Sequence, residues 1–337
     1  MKQFLTVFAI LAMVVPAMGA VSDNFNGGFQ LGGAPYGWNW VADGTYSATT
    51  VNVGVGDDEL LITSTFPPVG SGGTGSNFVG GVVGLTASYT NTFVTATVNT
   101  NSPNSGNDMG LLARANTTTF ELYGLNYDSY LNNIELVYNA PGGLSPVDLN
   151  GADLGATGTG QTVILKMNVT DSGGPGSPVY LVGQAWSADG LTLLGECQYI
   201  ADGIKQEEGV TIAIISGGPT GVYGALNTNF GGTYPPPINA QMDDWLAQTG
   251  LPGDFNLDGY VDVTDLGIMA GNYGTTSGMM WSNGDANLDN AVDVSDLGIL
   301  AGNYGSSAAG AAAAVPEPSM LCLLGLGSLA MMLLRRR

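Results

Sequence analysis

Between about residues 21 and 247 the chain is written in short apolar runs broken by Gly, Pro, Asn, Asp and Ser. Such runs include Glu59–Thr65, Phe93–Thr100, Gly110–Asn116, Phe120–Asp128, Asn133–Ala140, Thr162–Thr170, Val179–Ser187 and Gly209–Gly217. In one of them Val163, Leu165, Met167 and Val169 take alternate positions, and Lys166 and Asn168 point the other way. Period-two alternation is the mark of a strand with one buried face. No helical stripe competes there, so the expectation is a two-sheet sandwich. A span of about 225 residues suits a jelly roll better than a small immunoglobulin-like domain. Ser22–Asn26 and Met242–Trp245 read as neighbouring terminal strands, and Trp186 and Trp245 read as core.

The pattern changes after residue 253. GDFNLDGYVDVTDLGIMAGNYG, from Gly253, returns 31 residues later as GDANLDNAVDVSDLGILAGNYG, from Gly284. Each copy opens on a twelve-residue loop with side-chain oxygens at positions 1, 3, 5, 9 and 12. These are Asp254, Asn256, Asp258, Asp262 and Asp265, then Asp285, Asn287, Asp289, Asp293 and Asp296. Position 7 would add a main-chain carbonyl, from Tyr260 and Ala291. All-oxygen donors in this rhythm are the EF-hand pattern for a hard divalent cation, calcium. Gly259 and Asn290 at position 6 suit the left-handed turn that the loop requires. Val261 and Val292 at position 8 would pair the two loops. A single helix follows each loop. Its expected apolar stripes are Leu266, Met269, Ala270, Tyr273 and Leu297, Leu300, Ala301, Tyr304. Gly267, Gly271, Gly298 and Gly302 would mark close helix–helix approach.

Charge narrows the functional classes. The 337 residues include 7 Lys+Arg, 28 Asp+Glu and no His, for a net charge of −21. Without His there is no Ser-His-Asp or Cys-His nucleophile and no imidazole zinc site. Lys2 and Arg335 to Arg337 sit at the extremes, so Arg114, Lys166 and Lys205 are the body's cations. Three cations cannot neutralise a run of phosphates, which excludes nucleic acid as a partner. Cys197 is alone in the body and reads as a buried small hydrophobe.

The two ends are addresses. Residues 1–20 carry one Lys, an apolar run, Pro16 and small residues, the form of a secretory signal. After an Ala/Gly/Ser linker at 306–314 come Pro316, Glu317 and Pro318, an apolar stretch at 320–334 and three Arg. The three Arg would stay on the cytoplasmic side of a membrane. This order over 315–337 resembles the PEP-CTERM sorting signal of Gram-negative bacteria. The resemblance implies an exosortase partner, a tail transiently in the inner membrane, and export to the cell surface, outer membrane or extracellular matrix.

Two further resemblances complete the picture. Loop plus single helix, twice over residues 253–305, resembles the type I dockerin module and implies a cohesin-like partner. The family's partner surface falls on Val263-Thr264, Val294-Ser295, Ala270-Gly271 and Ala301-Gly302, where the usual basic contacts are missing. The sandwich resembles concanavalin A-like, laminin-G-type lectin or glucanase domains. That likeness implies a third calcium near the paired termini, with Asp23 and Asp243 or Asp244 as candidates. The glucanase motif Glu-x-Asp-x-x-Glu is missing, so no catalytic residue is assigned and the chain is not expected to be an enzyme. Glu121 and Glu135, on consecutive strands, could face each other. Tyr36, Trp38 and Trp40 are candidates for stacking on a polysaccharide. The expectation is a mainly β, jelly-roll sandwich with a small α-helical calcium module, in a structural or carbohydrate-binding role. The alternative is a secreted glycoside hydrolase or lyase with unrecognised catalytic groups.

Overall fold

The computed structural model describes residues 21–23, 38–41, 46–54, 57–64, 81–100, 107–116, 118–119, 121–128, 131–142, 146–155, 162–173, 176–226 and 239–308. The signal segment, Tyr36 and the sorting tail with its 320–334 stretch lie outside them. Among the described residues no helix is long and apolar enough to cross a membrane.

Two sheets form the body. The first runs, in spatial order, Leu193–Ala201, Val179–Ser187, Thr162–Asp171, Thr92–Thr100, Asn239–Thr249, Asp57–Ser64 and Tyr46–Gly54. Val21–Asp23 also pairs with Asn239–Thr249. The second runs Val147–Asp153, Asn133–Asn139, Leu122–Asp128, Asn107–Ala113, Gly218–Leu226, Gly81–Tyr89 and Trp38–Val41. The described pairings are antiparallel. Strands far apart in sequence lie side by side, as in a jelly roll.

The alternation read from the sequence builds the core. Val163, Leu165, Met167 and Val169 point inward with Val94, Ala96 and Val98, against Leu111, Leu125 and Leu136 of the second sheet. The sheets approach so closely at Gly183 that a Cβ there would lie 2.4 Å from Leu125 Cδ1. Cys197 is buried and unpaired, and burial pushes its thiol upward. The terminal strands meet as expected, with Asp23 opposite Trp245. Arg114, in the left-handed region at φ 52°, is fully buried. Its guanidinium donates to Asp171 at 2.8 Å and to the Ile215 carbonyl at 2.5 Å.

Two expectations fail in the body. Gly209–Gly217 is not a sheet strand: Gln206–Glu207 and Val210–Thr211 make a small hairpin about Glu208 and Gly209, both at positive φ. The following chain turns inward, where Ile212 and Ile215 join the core. Trp245 is core, but Trp186 is partly exposed on the outer face, with Lys166 Nζ 4.8 Å from its ring centroid.

The helical repeat sits on the outer face of the first sheet. Phe93 and Val182, with Tyr180, Ile200 and Leu246 packed alongside, form one cluster with Phe255, Leu257, Trp281 and Leu288 of the repeat. Asn168 and Gln184, at outward positions, are therefore buried rather than solvated. The two helices are α1 (Val263–Asn272) and α2 (Val294–Asn303).

Candidate metal centre

Each loop is wound by its own carboxylates. Asp254 accepts from the Asp258 and Gly259 N–H groups at 3.1 and 2.9 Å. Asp265 accepts from Phe255, Asn256 and Asp262 N–H groups at 2.7, 3.4 and 2.9 Å. Asn256 accepts from the Asp258 N–H and donates to its carboxylate. The Tyr260 N–H donates to Asp258 at 3.0 Å. The second loop repeats every bond. Asp285 receives Asp289 and Asn290, Asp296 receives Ala286, Asn287 and Asp293, and Asp289 receives Asn287 and Ala291. Asp262 and Asp293 cap the helices through Thr264 and Ser295, in reciprocal capping boxes with Asp265 and Asp296. These bonds link Asp254, Asn256, Asp258 and Asp265 within the first loop and Asp285, Asn287, Asp289 and Asp296 within the second.

Gly259 and Asn290 are left-handed, at φ 88° and 69°, as expected. Leu257 and Leu288 are left-handed too, which the sequence did not suggest. Their side chains anchor in the shared apolar cluster, and that burial offsets the backbone cost.

The donor set suits a hard cation. Asp254, Asp265, Asp285 and Asp296 are buried. Burial pushes the Asp254 carboxyl up to about 7, with Asp265 and Asp258 adding repulsion. It pushes Asp285 up to about 6, with Asp296 and Asp289 adding theirs. A cation among these oxygens would relieve both effects. Among the described residues no three acidic side chains already converge as a ligand cluster. Asp254 and Asp265 accept from backbone N–H groups, and so do the amide oxygens of Asn256 and Asn287.

Three details of the repeat differ from expectation. Val261 and Val292 do not pair with each other. Val261 pairs with Gly305 and Ser306 beyond α2, and Val292 with Gly274 and Thr275 beyond α1, so each loop is tied to the far end of the other copy's helix. Of the expected stripes Met269 and Leu300 are buried, beside Asp265 and Asp296, whereas Leu266, Ala270, Tyr273, Leu297, Ala301 and Tyr304 are exposed. The position-12 carboxylates occupy core positions that apolar periodicity cannot reveal. The helix glycines also face open space. Close approach belongs to Gly253 and Gly284, where a Cβ would lie 3.1 Å from Leu300 Cα and 2.9 Å from Met269 Cα.

Three residues missed in the sequence join the repeat to the sandwich. Trp281 is fully buried, donates from Nε1 to the Asp254 carbonyl at 2.7 Å, and packs edge-on to Phe255. Glu196, whose carboxyl burial pushes upward, accepts from the Ser282 N–H, the Ser282 hydroxyl and Gln184. Lys166 Nζ donates to the Leu257 carbonyl at 3.3 Å. The available signal was the Val179–Trp186 strand, apolar on both of its faces.

Elsewhere, Asp243 accepts from the Asp244 N–H at 2.7 Å, Asp244 is exposed, and Asp23 is described by backbone alone. Trp38 and Trp40 lie on a described strand, with their side chains outside the described residues. Glu121 and Glu135 do not face each other. Glu121 bonds the Tyr138 hydroxyl, whereas Glu135 accepts from Asn133 on the outer face, opposite Asn126. Burial raises the Glu135 carboxyl, with Asp148 adding to it; Asp148 is raised by burial and then Glu208.

The PEP-CTERM protein-sorting motif matches residues 314–337. It marks an exported, surface-directed protein and implies exosortase processing. No curated protein matches the chain. Similar solved structures include a carbohydrate-binding module from Bacillus subtilis, 10% identical, covering 62% of this chain and 94% of that one at a TM-score of 0.35. Bacillus licheniformis β-glucanase is 13% identical, covering 69% and 98% at 0.38. A legume lectin-like domain from Entamoeba histolytica is 7% identical, covering 63% and 89% at 0.32.

Proposed function

We propose that this exported protein presents a β-sandwich at the cell surface or in the extracellular matrix, and that its dockerin-like repeat binds two calcium ions that brace the sandwich. The observation that carries this is the identical carboxylate bonding of two loops, both seated on the sandwich through one apolar cluster. Asp254, Asn256, Asp258, Asp262 and Asp265, with the Tyr260 carbonyl, would hold one ion. Asp285, Asn287, Asp289, Asp293 and Asp296, with the Ala291 carbonyl, would hold the other. Bound calcium supplies charge neutralisation and no redox or hydrolytic chemistry. The sandwich's role is structural or carbohydrate-binding, supported by the closeness in sequence of Tyr36, Trp38 and Trp40 and by the half-buried amide of Asn133 on the outer face of the second sheet. A cohesin-like partner would meet exposed Val263, Thr264, Val294 and Ser295. A third calcium would use Asp23 with Asp243 or Asp244.

A second reading, a polysaccharide-acting enzyme, draws on Glu135 and Asp148. Both are outer-face carboxyls with raised values. A general acid needs such a shift, and paired carboxylates are the usual machinery of glycoside hydrolysis. One experiment separates the readings: a glycan array with the full chain, run beside reducing-sugar release. Retention of a polysaccharide without release supports the binding role. Release that Glu135→Gln abolishes would replace it with the enzyme.

A further inference from the structure

We propose that Lys166, a residue of the sandwich, sets the cation affinity of the first loop below that of the second. The inference rests on the calcium reading above and adds a charge asymmetry, since neither copy of the repeat carries a Lys or Arg of its own. The two loops match bond for bond in their carboxylates and differ in Phe255/Ala286, Gly259/Asn290 and Tyr260/Ala291, so the charge that Lys166 adds is isolated by substituting Lys166 itself. Lys166 leaves an outward position of Thr162–Asp171 and donates to the Leu257 carbonyl, at loop position 4, at 3.3 Å. Its ammonium is held 4.8 Å over the Trp186 ring, whose Nε1 donates to Gln184. The carboxylates whose charge it feels are Asp254 and Asp258, both in the first loop.

The second loop has a different neighbour. Tyr180, on the adjacent strand, is the sheet residue that feels Asp285, Asp289 and Asp296, and its phenol is neutral. No other described cation can play Lys166's part there. Arg114 is buried against Asp171, and Lys205 lies over Tyr199. One loop therefore carries a fixed positive charge at its rim and its twin does not.

The consequence is electrostatic. An ammonium beside empty carboxylates stabilises the metal-free loop, and it repels an arriving divalent ion. Both effects weaken binding at the first loop, and they act over a few ångströms of partly buried space where salt screens poorly. The second loop would fill first and the first only at higher calcium, so the contact between loop and sandwich would respond to calcium in two stages.

The test is calorimetric titration of calcium into the chelated full chain. Asp285→Asn silences the second loop so that the heat reports the first, and Asp254→Asn does the reverse. The expected result is first-loop binding about tenfold weaker than second-loop binding. Lys166→Met should remove most of that gap, and Lys166→Arg should keep it. Lys166→Gln, checked for folding by circular dichroism, guards against a packing defect in the Met variant. Equal affinities in the parent, or a gap that survives both Lys166→Met and Lys166→Gln, would overturn the inference and leave the calcium sites standing. No calcium heat in the parent would overturn both.

Discussion

The sandwich and the repeat solve the folding problem in opposite ways. Between its sheets the sandwich buries a long run of apolar side chains, and its internal ion pair, Arg114 with Asp171, is matched charge for charge. The repeat buries Asp254, Asp265, Asp285 and Asp296 beneath a thin apolar layer that it completes by borrowing Phe93 and Val182 from the sheet. Apolar burial stabilises without any ligand. Buried like charges do not, and on the proposed reading bound calcium supplies the missing stabilisation. The comparison teaches that the boundary between these regions is not a hinge between independent modules. It is a shared core, pinned by Trp281 and Glu196.

The comparison breaks most visibly under substitution of the position-12 ligands. Asp265→Ala or Asp296→Ala should lower that loop's calcium affinity at least a hundredfold, and the stability of the repeat should then become insensitive to calcium. Leu165→Ala in the sandwich should cost about 2–5 kcal/mol, by the same amount with calcium or with chelator. Thermal melts of the three variants under both conditions check this. A calcium-dependent cost at Leu165 would mean that the metal acts on both regions alike.

Next comes the seam. Trp281→Ala should cost about 3–5 kcal/mol by cavity formation and by leaving the Asp254 carbonyl without its donor. Native-state hydrogen exchange should show protection falling on both sides, in residues 254–265 and in Val179–Ser187. Loss confined to the repeat would mean that the shared cluster is contact without coupling.

Glu196 gives the pH term. Burial raises its folded value above the ordinary 4.5, so its contribution is most favourable below that value and is lost as pH rises toward the folded one. The groups facing it are the Ser282 N–H, the Ser282 hydroxyl and Gln184. Glu196→Gln should flatten the fall in stability above pH 4.5, with about 1 kcal/mol or less change at neutral pH. An unchanged profile in that variant would assign the pH dependence to other carboxylates.

The smallest effect sharpens the reading of the helices. Gly271→Ala and Gly302→Ala add a methyl to open space and should stabilise the repeat by about 1 kcal/mol each. Destabilisation at either position would show that those faces are packed after all.

Much of this was legible in advance, and the exceptions have causes. The strand Thr162–Asp171 was plain because Val163, Leu165, Met167 and Val169 alternate with polar residues. The loop-then-helix order of the repeat was plain because the same pattern of Asp, Asn and apolar residues returns after 31 residues. The helix faces were misread because Asp265 and Asp296 hold buried positions through backbone hydrogen bonds, leaving Leu266 and Leu297 outside. Asn168 pointed away from the sandwich core as its position requires, yet it is buried because a second core lies there. That docking is a tertiary fact with one faint trace in the sequence, the apolar residues Tyr180 and Val182 at outward positions.

If calcium completes the repeat, titrating it into the chelator-stripped chain, with stoichiometry followed by calorimetry and helicity by circular dichroism, should give two ions per chain, helical signal that grows as they bind, and a β signal from the sandwich that survives chelation. A chain that takes up no calcium, with α1 and α2 fully formed in chelator, would contradict it.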